Sequence, residues 1–358
     1  MTTVQVPPSL FGDKERIFLQ ADGVQVSLFR YETGVAALRL ANRGGYVIVL
    51  PFLGQMVWDA SFAGVGLTMG SMFTAPRPAS MIADTYGCYA FHSGLLRNGN
   101  PGPEDSHPPH GEMPCAPIDQ SWLEVGNDAE GIFVRLVGER EYIRGFGAHY
   151  RARPSVTLRA GSTLFDIGMA VENLGGGAMD LMYMCHINPA FVEDGHIVQP
   201  APWTPEAVAV RTAIPPHIPP SPAYLAQIEE LARTPAAMEF LAPGLSFDPE
   251  QVFYIRGLRT DAAGLTHLLL RRPEGDGFAI SYSVEQFSHT VRWLMRNADH
   301  EVAAFALPAT CEPEGFSAER RKGNVRSLAP GATATFSVRT GYVDSAGAAA
   351  LQRKIAAL

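Results

Sequence analysis

The sequence predicts a mainly β protein, a large antiparallel β-sandwich with few short helices. Its 358 residues include 35 glycines and 28 prolines, a composition typical of a chain with many turns. More than a dozen short apolar segments lie between these turns. Helical periodicity is confined to two segments, and strands do not alternate with helices. This pattern excludes an α/β barrel and favours a large antiparallel sandwich.

Individual segments support this fold class. Residues 17–59 contain successive apolar segments separated by turns, at a spacing that predicts an antiparallel meander. Within the segment 164–172, the residues from Phe165 onward alternate between apolar and polar or small side chains, which indicates a strand with one face in the core. Apolar residues near helical spacing predict a helix over Ser221–Thr234, and an Ala-rich segment predicts a C-terminal helix over 348–358.

We interpret residues 1–358 as a single domain. The proline-rich segment 199–222 is expected to be a surface excursion rather than a linker, because strand patterns resume after it. Residues 88–117 read as a long Gly- and Pro-rich loop, which we expect to be ordered by its prolines and functional because of its length. Residues 69–84 have no clear period and are left unassigned.

Charge and composition exclude several function classes. Lys and Arg total 28 against 36 Asp and Glu, giving a net charge of −8, and no basic run is longer than the three residues 320–322. This composition argues against nucleic-acid and anionic-membrane partners. No apolar run of about 20 residues could span a bilayer. The N-terminus has no signal-peptide pattern, so we expect a cytoplasmic protein. The cysteines Cys88, Cys115, Cys185 and Cys311 are scattered, which favours buried thiols over a disulfide framework or a zinc site.

Two histidines are the main candidates for chemistry. His110 lies in a Pro-Pro-His-Gly-Glu segment, where Gly111 would let the backbone turn tightly beside a ligand, and His186 ends an apolar strand. Two imidazoles brought together by the fold could exchange protons with a small polar ligand near neutral pH. The structural alternatives are a loop histidine bonded to a carbonyl and a core histidine satisfied by backbone. Asn188 could bind a hydroxyl or simply form a turn before proline.

Further candidates are weaker. His107, His110 and Glu112 could form a metal site, although their spacing is neither that of a helical metalloprotease nor that of a cupin-type site. Glu312 and Glu314 could supply a carboxylate base, and a solvated turn is the alternative, favoured for Glu314. The basic run 320–322 could contact a phosphorylated sugar, with a solvated face as the alternative. The chain has neither a phosphate-binding glycine loop nor a dinucleotide fingerprint.

With these residues identified, the chain resembles the aldose 1-epimerase (galactose mutarotase-like) superfamily, and within it the bacterial DUF4432 branch. The resemblance covers roughly residues 35–345. It depends on four short motifs in a common order and spacing: residues 91–97, His110-Gly111, residues 171–175 leading to 185–188, and residues 307–310.

This resemblance implies a β-supersandwich and a sugar ligand, with no metal or cofactor. Residue by residue, it implies that His186 is the general acid at the ring oxygen, that His110 contacts the sugar, and that Arg97 binds sugar hydroxyls. Glu112 and Asn188 are further candidate sugar contacts. The implied reaction opens and closes the sugar ring by acid and base catalysis and so interconverts anomers.

The chain departs from the family at the base. Aligning the Pro-Ala-Thr segment places Leu307 where the family has its catalytic carboxylate, and Glu312 is then the tentative base. A second family carboxylate falls near Glu250-Gln251. Three hypotheses follow: a mutarotase-like isomerase, a sugar-binding protein that has lost the base, and a metal-dependent sugar isomerase using His107, His110 and Glu112. The expected partner is a small sugar or sugar derivative, and the oligomeric state stays open.

Overall fold

The structure is a computed structural model that describes residues 1–214 and 220–358. This part of the chain is predominantly β, and its strands number 23. In chain order they are β1 (Thr2–Gln5), β2 (Arg16–Ala21), β3 (Val24–Arg30), β4 (Ala36–Asn42), β5 (Gly45–Leu50), β6 (Met56–Phe62), β7 (Val65–Gly66), β8 (Ala90–Leu95), β9 (Gln120–Asp128), β10 (Gly131–Ile143), β11 (His149–Arg159), β12 (Leu164–Asn173), β13 (Met179–Ile187), β14 (Gly195–Val198), β15 (Val208–Val210), β16 (Phe240–Leu241), β17 (Phe247–Ile255), β18 (Leu265–Arg271), β19 (Gly277–Ser283), β20 (His289–Arg296), β21 (Glu301–Ala309), β22 (Arg326–Leu328) and β23 (Thr333–Val343).

The strands form two large sheets, and every recorded pairing in them is antiparallel. The smaller sheet has the order β1-β9-β10-β11-β12-β23-β19-β18-β14-β16. The larger has the order β15-β17-β20-β21-β13-β8-β6-β5-β4-β3-β2, with β7 and β22 paired beside this path. The mainly β antiparallel sandwich expected from the sequence is therefore confirmed, and so is the meander, because β2 to β6 pair in consecutive order.

The two sheets enclose the main hydrophobic core. In β12, Phe165, Ile167, Met169 and Val171 are buried while their neighbours are partly exposed, as the alternation predicts. Phe62 of the larger sheet lies across from Phe165, with ring centroids 6.2 Å apart. Burial of each such side chain contributes roughly 1.5–3 kcal/mol, so the alternating pattern fixes which face of each strand turns inward.

Both predicted helices are present. The first, α1 (Pro222–Arg233), follows Ser221, whose side chain accepts a hydrogen bond from the amide of Tyr224. The C-terminal helix, α3 (Ser345–Ala356), begins three residues earlier than predicted, because Asp344 caps it by accepting from the amide of Gly347.

A third helix, α2 (Phe316–Lys322), was not predicted. It contains the basic run 320–322 and has little apolar periodicity. A contact from a distant loop supports it, since the carboxylate of Asp105 accepts hydrogen bonds from both the amide and the hydroxyl of Ser317. A contact between residues so far apart in the chain leaves no signal in the local sequence pattern.

The predicted loop over 88–117 is wrong in its first part, because β8 (Ala90–Leu95) lies within it. All six residues of β8 are buried, so the strand shows no alternation of polar and apolar residues. The rest of the segment is irregular. The proline-rich segment 199–222 includes the short strand β15, and its residues 215–219 lie outside the described part of the chain.

The expectation for the cysteines is confirmed, since all four are buried free thiols. In the described residues we find no helix that combines the length and apolarity needed to cross a membrane.

Candidate active site

His186 reaches the site because of the period-two geometry of β13. Cys185 and Ile187 point into the core between the sheets, while Met184 and His186 point to the other face of the larger sheet. Strand pairing places Phe91 of β8 directly opposite His186. The two rings stack with centroids 4.5 Å apart and an interplanar angle of 15°.

Asn188 holds the His186 ring in one orientation. The Asn188 side-chain amide donates to the carbonyl oxygen of Cys88 at 3.1 Å, which turns Oδ1 of Asn188 toward His186. This oxygen lies 2.7 Å from Nδ1 of His186. Because an amide oxygen only accepts, Nδ1 carries the proton and Nε2 presents its lone pair. The hydroxyl of Tyr86 lies 3.4 Å from Nε2, where it can donate.

His110 is positioned by an unusual stretch of backbone. Its φ is +63° and that of Gly111 is +79°. A Cβ atom at residue 111 would lie 2.0 Å from the carbonyl oxygen of Arg97, so glycine is required there. The tight turn expected at Gly111 is therefore present. The group that packs closely against Gly111 is the backbone of Arg97.

The two histidine rings meet edge to face. Their centroids lie 5.0 Å apart with an interplanar angle of 89°. Nδ1 of His110 lies 3.1 Å from the hydroxyl oxygen of Ser93, and this hydroxyl donates in turn to Oδ1 of Asn98. Ser93 therefore accepts from Nδ1 of His110, which leaves Nε2 as the ring nitrogen that this network does not use.

Both imidazoles are neutral at physiological pH. Burial lowers the pKa of His110 to about 4, with a smaller contribution from His107. Burial also lowers the pKa of His186 well below its usual value, and the neighbouring His110 adds to this effect while Asn188 opposes it. Burial raises the pKa of Tyr86 well above its usual value, so its hydroxyl stays protonated.

The two histidines line a cavity of about 490 Å³ on the face of the larger sheet that turns away from the smaller one. This volume lies in the range typical of small-molecule sites. The lining is largely aromatic and aliphatic: Phe73, Tyr86, Met184, Val252, Val291, Trp293, Met295 and Leu307. We call it the histidine cavity.

One wall of the histidine cavity carries a charged cluster. The indole N–H of Trp293 donates to Oε2 of Glu250 at 2.8 Å, and Oε1 of Glu250 lies 3.4 Å from Nη1 of Arg211. Arg211 also contacts Glu314 through Nε at 2.8 Å and through Nη2 at 3.2 Å. The Tyr254 hydroxyl donates to Glu314 as well. Burial works against the charge of Arg211, yet Glu314, Tyr254 and Glu250 together raise its pKa.

The structure brings His186, His110 and Asn188 together, and it places Glu314 in the charged cluster beside them rather than in a solvated turn. Arg97, Glu112 and Glu312 lie elsewhere. Arg97 and Glu112 line a separate depression of about 960 Å³, which shares no lining residue with the histidine cavity. Nη1 of Arg97 donates to Oδ2 of Asp180 at 3.2 Å, and the guanidinium carbon of Arg97 lies 3.5 Å from the centroid of the Phe316 ring.

Glu112 supports the loop that carries His110. Its Oε1 atom accepts hydrogen bonds from the amides of Leu95 and Leu96 and from the hydroxyl of Tyr150, all within 3.0 Å. Glu112 thus anchors the chain two residues after His110, next to the turn closed by the hydrogen bond from the Gly111 amide to the Pro108 carbonyl.

Glu312 also lies outside the histidine cavity. It lines a third depression, of about 560 Å³, where Oε2 is 2.7 Å from Nζ of Lys322 and Oε1 is 3.3 Å from Nη2 of Arg256. Leu307, in contrast, lines the histidine cavity, and only 1% of it is exposed.

His107, His110 and Glu112 do not converge on one site, because His107 and Glu112 line the depression of about 960 Å³ whereas His110 lines the histidine cavity. Nδ1 of His107 lies 2.9 Å from the carbonyl oxygen of Pro108, and its Nε2 accepts from the amide of Phe316 at 3.4 Å. In the parts of the chain that the structure describes, no three His, Cys, Asp or Glu side chains form a group that could hold a metal ion.

The sequence interpretation missed Trp293, Tyr86 and Arg211 as cavity residues. For Trp293 a signal was available, because Val291, Trp293 and Met295 alternate along one face of a predicted strand. Arg211 lies in the proline-rich segment, where no periodicity marks it. Tyr86 follows a segment that had no assignment.

Comparison with known proteins agrees with this architecture. A putative aldose 1-epimerase from Klebsiella pneumoniae subsp. pneumoniae MGH 78578 superimposes with a TM-score of 0.77 at 18% identity, covering 97% of this chain and 91% of that one. A galactose mutarotase-like protein from Clostridium acetobutylicum superimposes with a TM-score of 0.59 at 12% identity, covering 90% of this chain and 100% of that one. At these identities the similarity establishes the fold, a galactose mutarotase-like sandwich.

Among curated proteins no match was found. The model of one protein family, described as "Domain of unknown function (DUF4432)", matches residues 32–341. That match covers most of the chain and includes both histidines, so this protein belongs to the DUF4432 family.

Proposed function

We propose that the protein binds a sugar in the histidine cavity and interconverts its anomers by proton transfer. The observation that carries this proposal is the meeting of His186 and His110 in a cavity on a mutarotase-like fold, with Asn188 orienting the His186 ring. The aromatic lining supports it as well, because Trp293 and Tyr86 can pack against the C–H faces of a sugar ring.

In the proposed reaction, a base takes the proton of the anomeric hydroxyl while Nε2 of a protonated His186 donates to the ring oxygen. The bond between the anomeric carbon and the ring oxygen breaks, which leaves an open-chain aldehyde. Rotation of the aldehyde group and reversal of both proton transfers then give the other anomer. His110 contributes Nε2 as an acceptor for a sugar hydroxyl.

For the base we propose Glu250 in place of Glu312. Glu250 lines the histidine cavity, whereas Glu312 is engaged by Lys322 in another depression. Trp293 is the common neighbour of acid and base, since it donates to Glu250 and its ring lies 5.5 Å from that of His186. These contacts support a pair of proton-transfer groups that share one indole ring as a neighbour.

The second candidate function is sugar binding without catalysis. It is favoured by Leu307, an apolar side chain in the cavity wall at the position where the family resemblance places the base. A cavity that kept its histidines and lost that carboxylate would still bind a sugar. The two candidates differ only in whether anomer exchange becomes faster.

Two-dimensional exchange NMR on a panel of free aldoses and ketoses separates the two candidates. We expect faster anomer exchange for at least one sugar, with a loss of 10²-fold or more in His186→Gln and in Glu250→Gln. Glu312→Gln is the matched control, a carboxylate removed outside the cavity, and should keep the wild-type rate. Line broadening from binding without faster exchange would favour the second candidate. Full activity in His186→Gln would refute the assigned acid.

A further inference from the structure

The polar groups of the histidine cavity leave it without a net positive charge. His110 and His186 each present an unprotonated Nε2, as their hydrogen-bonding partners require. The guanidinium of Arg211 faces two carboxylates, those of Glu314 and Glu250, so this cluster carries a net negative charge. Tyr86, with its neutral hydroxyl, Asn100 and His300 are the other polar side chains of the lining besides Trp293.

An anionic ligand would therefore gain no cation in this cavity. A phosphate or carboxylate group that enters it loses its hydration, and Arg211 is already held by two atoms of Glu314 at 2.8 and 3.2 Å. Removing such a group from water without an opposite charge is strongly unfavourable. Glu250 would add repulsion at short range.

Much of the remaining lining is apolar. Met72, Phe73, Met184, Val291, Met295 and Leu307 all line the cavity, and Met72 is 59% exposed. These side chains offer no hydrogen bond to a hydroxyl group. A sugar hydroxyl that points at them loses its water partners, whereas a methyl group in the same place gains burial.

We propose that the histidine cavity selects neutral sugars that carry a deoxygenated carbon, such as 6-deoxyhexoses, and excludes phosphorylated sugars and sugar acids. This inference rests on the sugar-binding function proposed above and adds the substrate class. The apolar wall takes the methyl group, while the imidazoles and Glu250 bind the hydroxyls near the anomeric centre. Arg211 determines specificity through its two carboxylate partners.

The test uses sets of sugars that differ only at carbon 6: a hexose, its 6-deoxy form, its uronate and its 6-phosphate, in the gluco, galacto and manno series. Dissociation constants are measured by ligand-observed NMR at pH 8, well above the pKa of a free imidazole. In the series that binds best, we expect the 6-deoxy sugar to bind at least about fivefold more tightly than the hexose. We expect the two anions to bind at least about tenfold more weakly than the hexose.

A second measurement addresses the charge argument. Glu314→Gln removes one of the two carboxylates that face Arg211, so the ratio of uronate affinity to hexose affinity should rise about fivefold or more. Glu193→Gln is the matched control, because Glu193 pairs with Arg296 at 2.7 Å outside the cavity, and it should leave this ratio unchanged.

The outcomes separate the inference from the function on which it rests. A uronate or phosphate that binds as tightly as the neutral hexose, or a hexose that binds as tightly as its 6-deoxy form, would overturn the inference and leave sugar binding intact. An unchanged affinity ratio in Glu314→Gln would overturn the role of Arg211. Absence of binding by every sugar of the panel would overturn both the inference and the proposed function.

Discussion

Nδ1 of His186 and Oδ1 of Asn188 form a hydrogen bond of 2.7 Å, and the second amide atom of Asn188 is held by the carbonyl of Cys88. This arrangement fixes the tautomer of His186 before any ligand is present. It explains why the histidine at the end of β13 is followed two residues later by asparagine.

The first prediction concerns this tautomer. ¹⁵N NMR of histidine-labelled protein at pH 7.5 should show His186 with a protonated Nδ1 and an unprotonated Nε2. In Asn188→Ala, Nδ1–H loses its acceptor, so the signals should change to those of a tautomer mixture. Tyr86→Phe, which removes only the hydroxyl near Nε2, should keep the wild-type pattern. A protonated Nε2 in the wild-type protein would contradict this account.

The second prediction concerns the pH dependence of anomer exchange. Burial lowers the pKa of His186, so its protonated form is scarce at neutral pH and becomes more abundant as the pH falls. If His186 acts as the acid, the exchange rate above the uncatalysed background should rise from pH 8 to pH 5.5. The lower limit of this window, pH 5.5, lies above the pH range in which carboxylates of ordinary pKa take up protons. A rate that is flat or falls across the window would instead assign His186 the role of base.

The third prediction concerns the turn at Gly111. Replacement by Ala puts a Cβ atom 2.0 Å from the carbonyl oxygen of Arg97 at a φ of +79°, so the backbone must shift. We expect Gly111→Ala to lower the free energy of unfolding by about 2 kcal/mol or more and to displace His110. Gly145→Ala is the control, because no atom lies within 4 Å of its Cβ position. Equal stability of the two variants in urea denaturation would refute the constraint.

The fourth prediction concerns stability in acid. Burial lowers the pKa of His92 to about 3, whereas the unfolded chain takes up this proton near the usual value of 6.5. The unfolded state therefore binds more protons between these two values. Each such histidine lowers the free energy of unfolding by up to about 1.4 kcal/mol per pH unit as the pH falls through this window, and His110, with a pKa of about 4, acts in the same direction.

Denaturation in urea at several pH values between 7.5 and 5 checks this prediction. His92→Phe should reduce the slope of stability against pH by about 1.4 kcal/mol per unit at the acidic end. Tyr183→Phe, which removes the hydroxyl 2.8 Å from His92 but keeps the buried imidazole, should retain the wild-type slope. If His92→Phe shows the wild-type slope, the assigned proton uptake is wrong.

Much of the fold is encoded in local patterns of the sequence. The alternation along 164–172 predicts β12 with its correct inner face, and the regular turns in 17–59 predict the meander. Local patterns fail where tertiary contacts decide the structure. β8 is buried on both faces and shows no period, and α2 is supported by hydrogen bonds that Ser317 donates to Asp105 in a distant loop.

The candidate site was predictable in part, because some of its residues lie in recognisable local patterns and others do not. His110 stands out because proline and glycine mark the turn around it, and His186 because asparagine and proline follow the end of β13. Glu250 has no such local signal, and only the family resemblance points near it. It reaches Trp293 through the pairing of β17 with β20, where Val252 lies opposite Trp293. Such a register joins segments about 40 residues apart and has no local signature.

The most direct test of the central claim is NMR of the labelled histidine side chains while a sugar is added. The account predicts that the signals of His110 and His186 shift together with one dissociation constant. Those of His196 and His267, on strands β14 and β18 of the smaller sheet, should stay in place. Binding detected by calorimetry without any shift of His110 and His186 would place the sugar elsewhere and contradict the account.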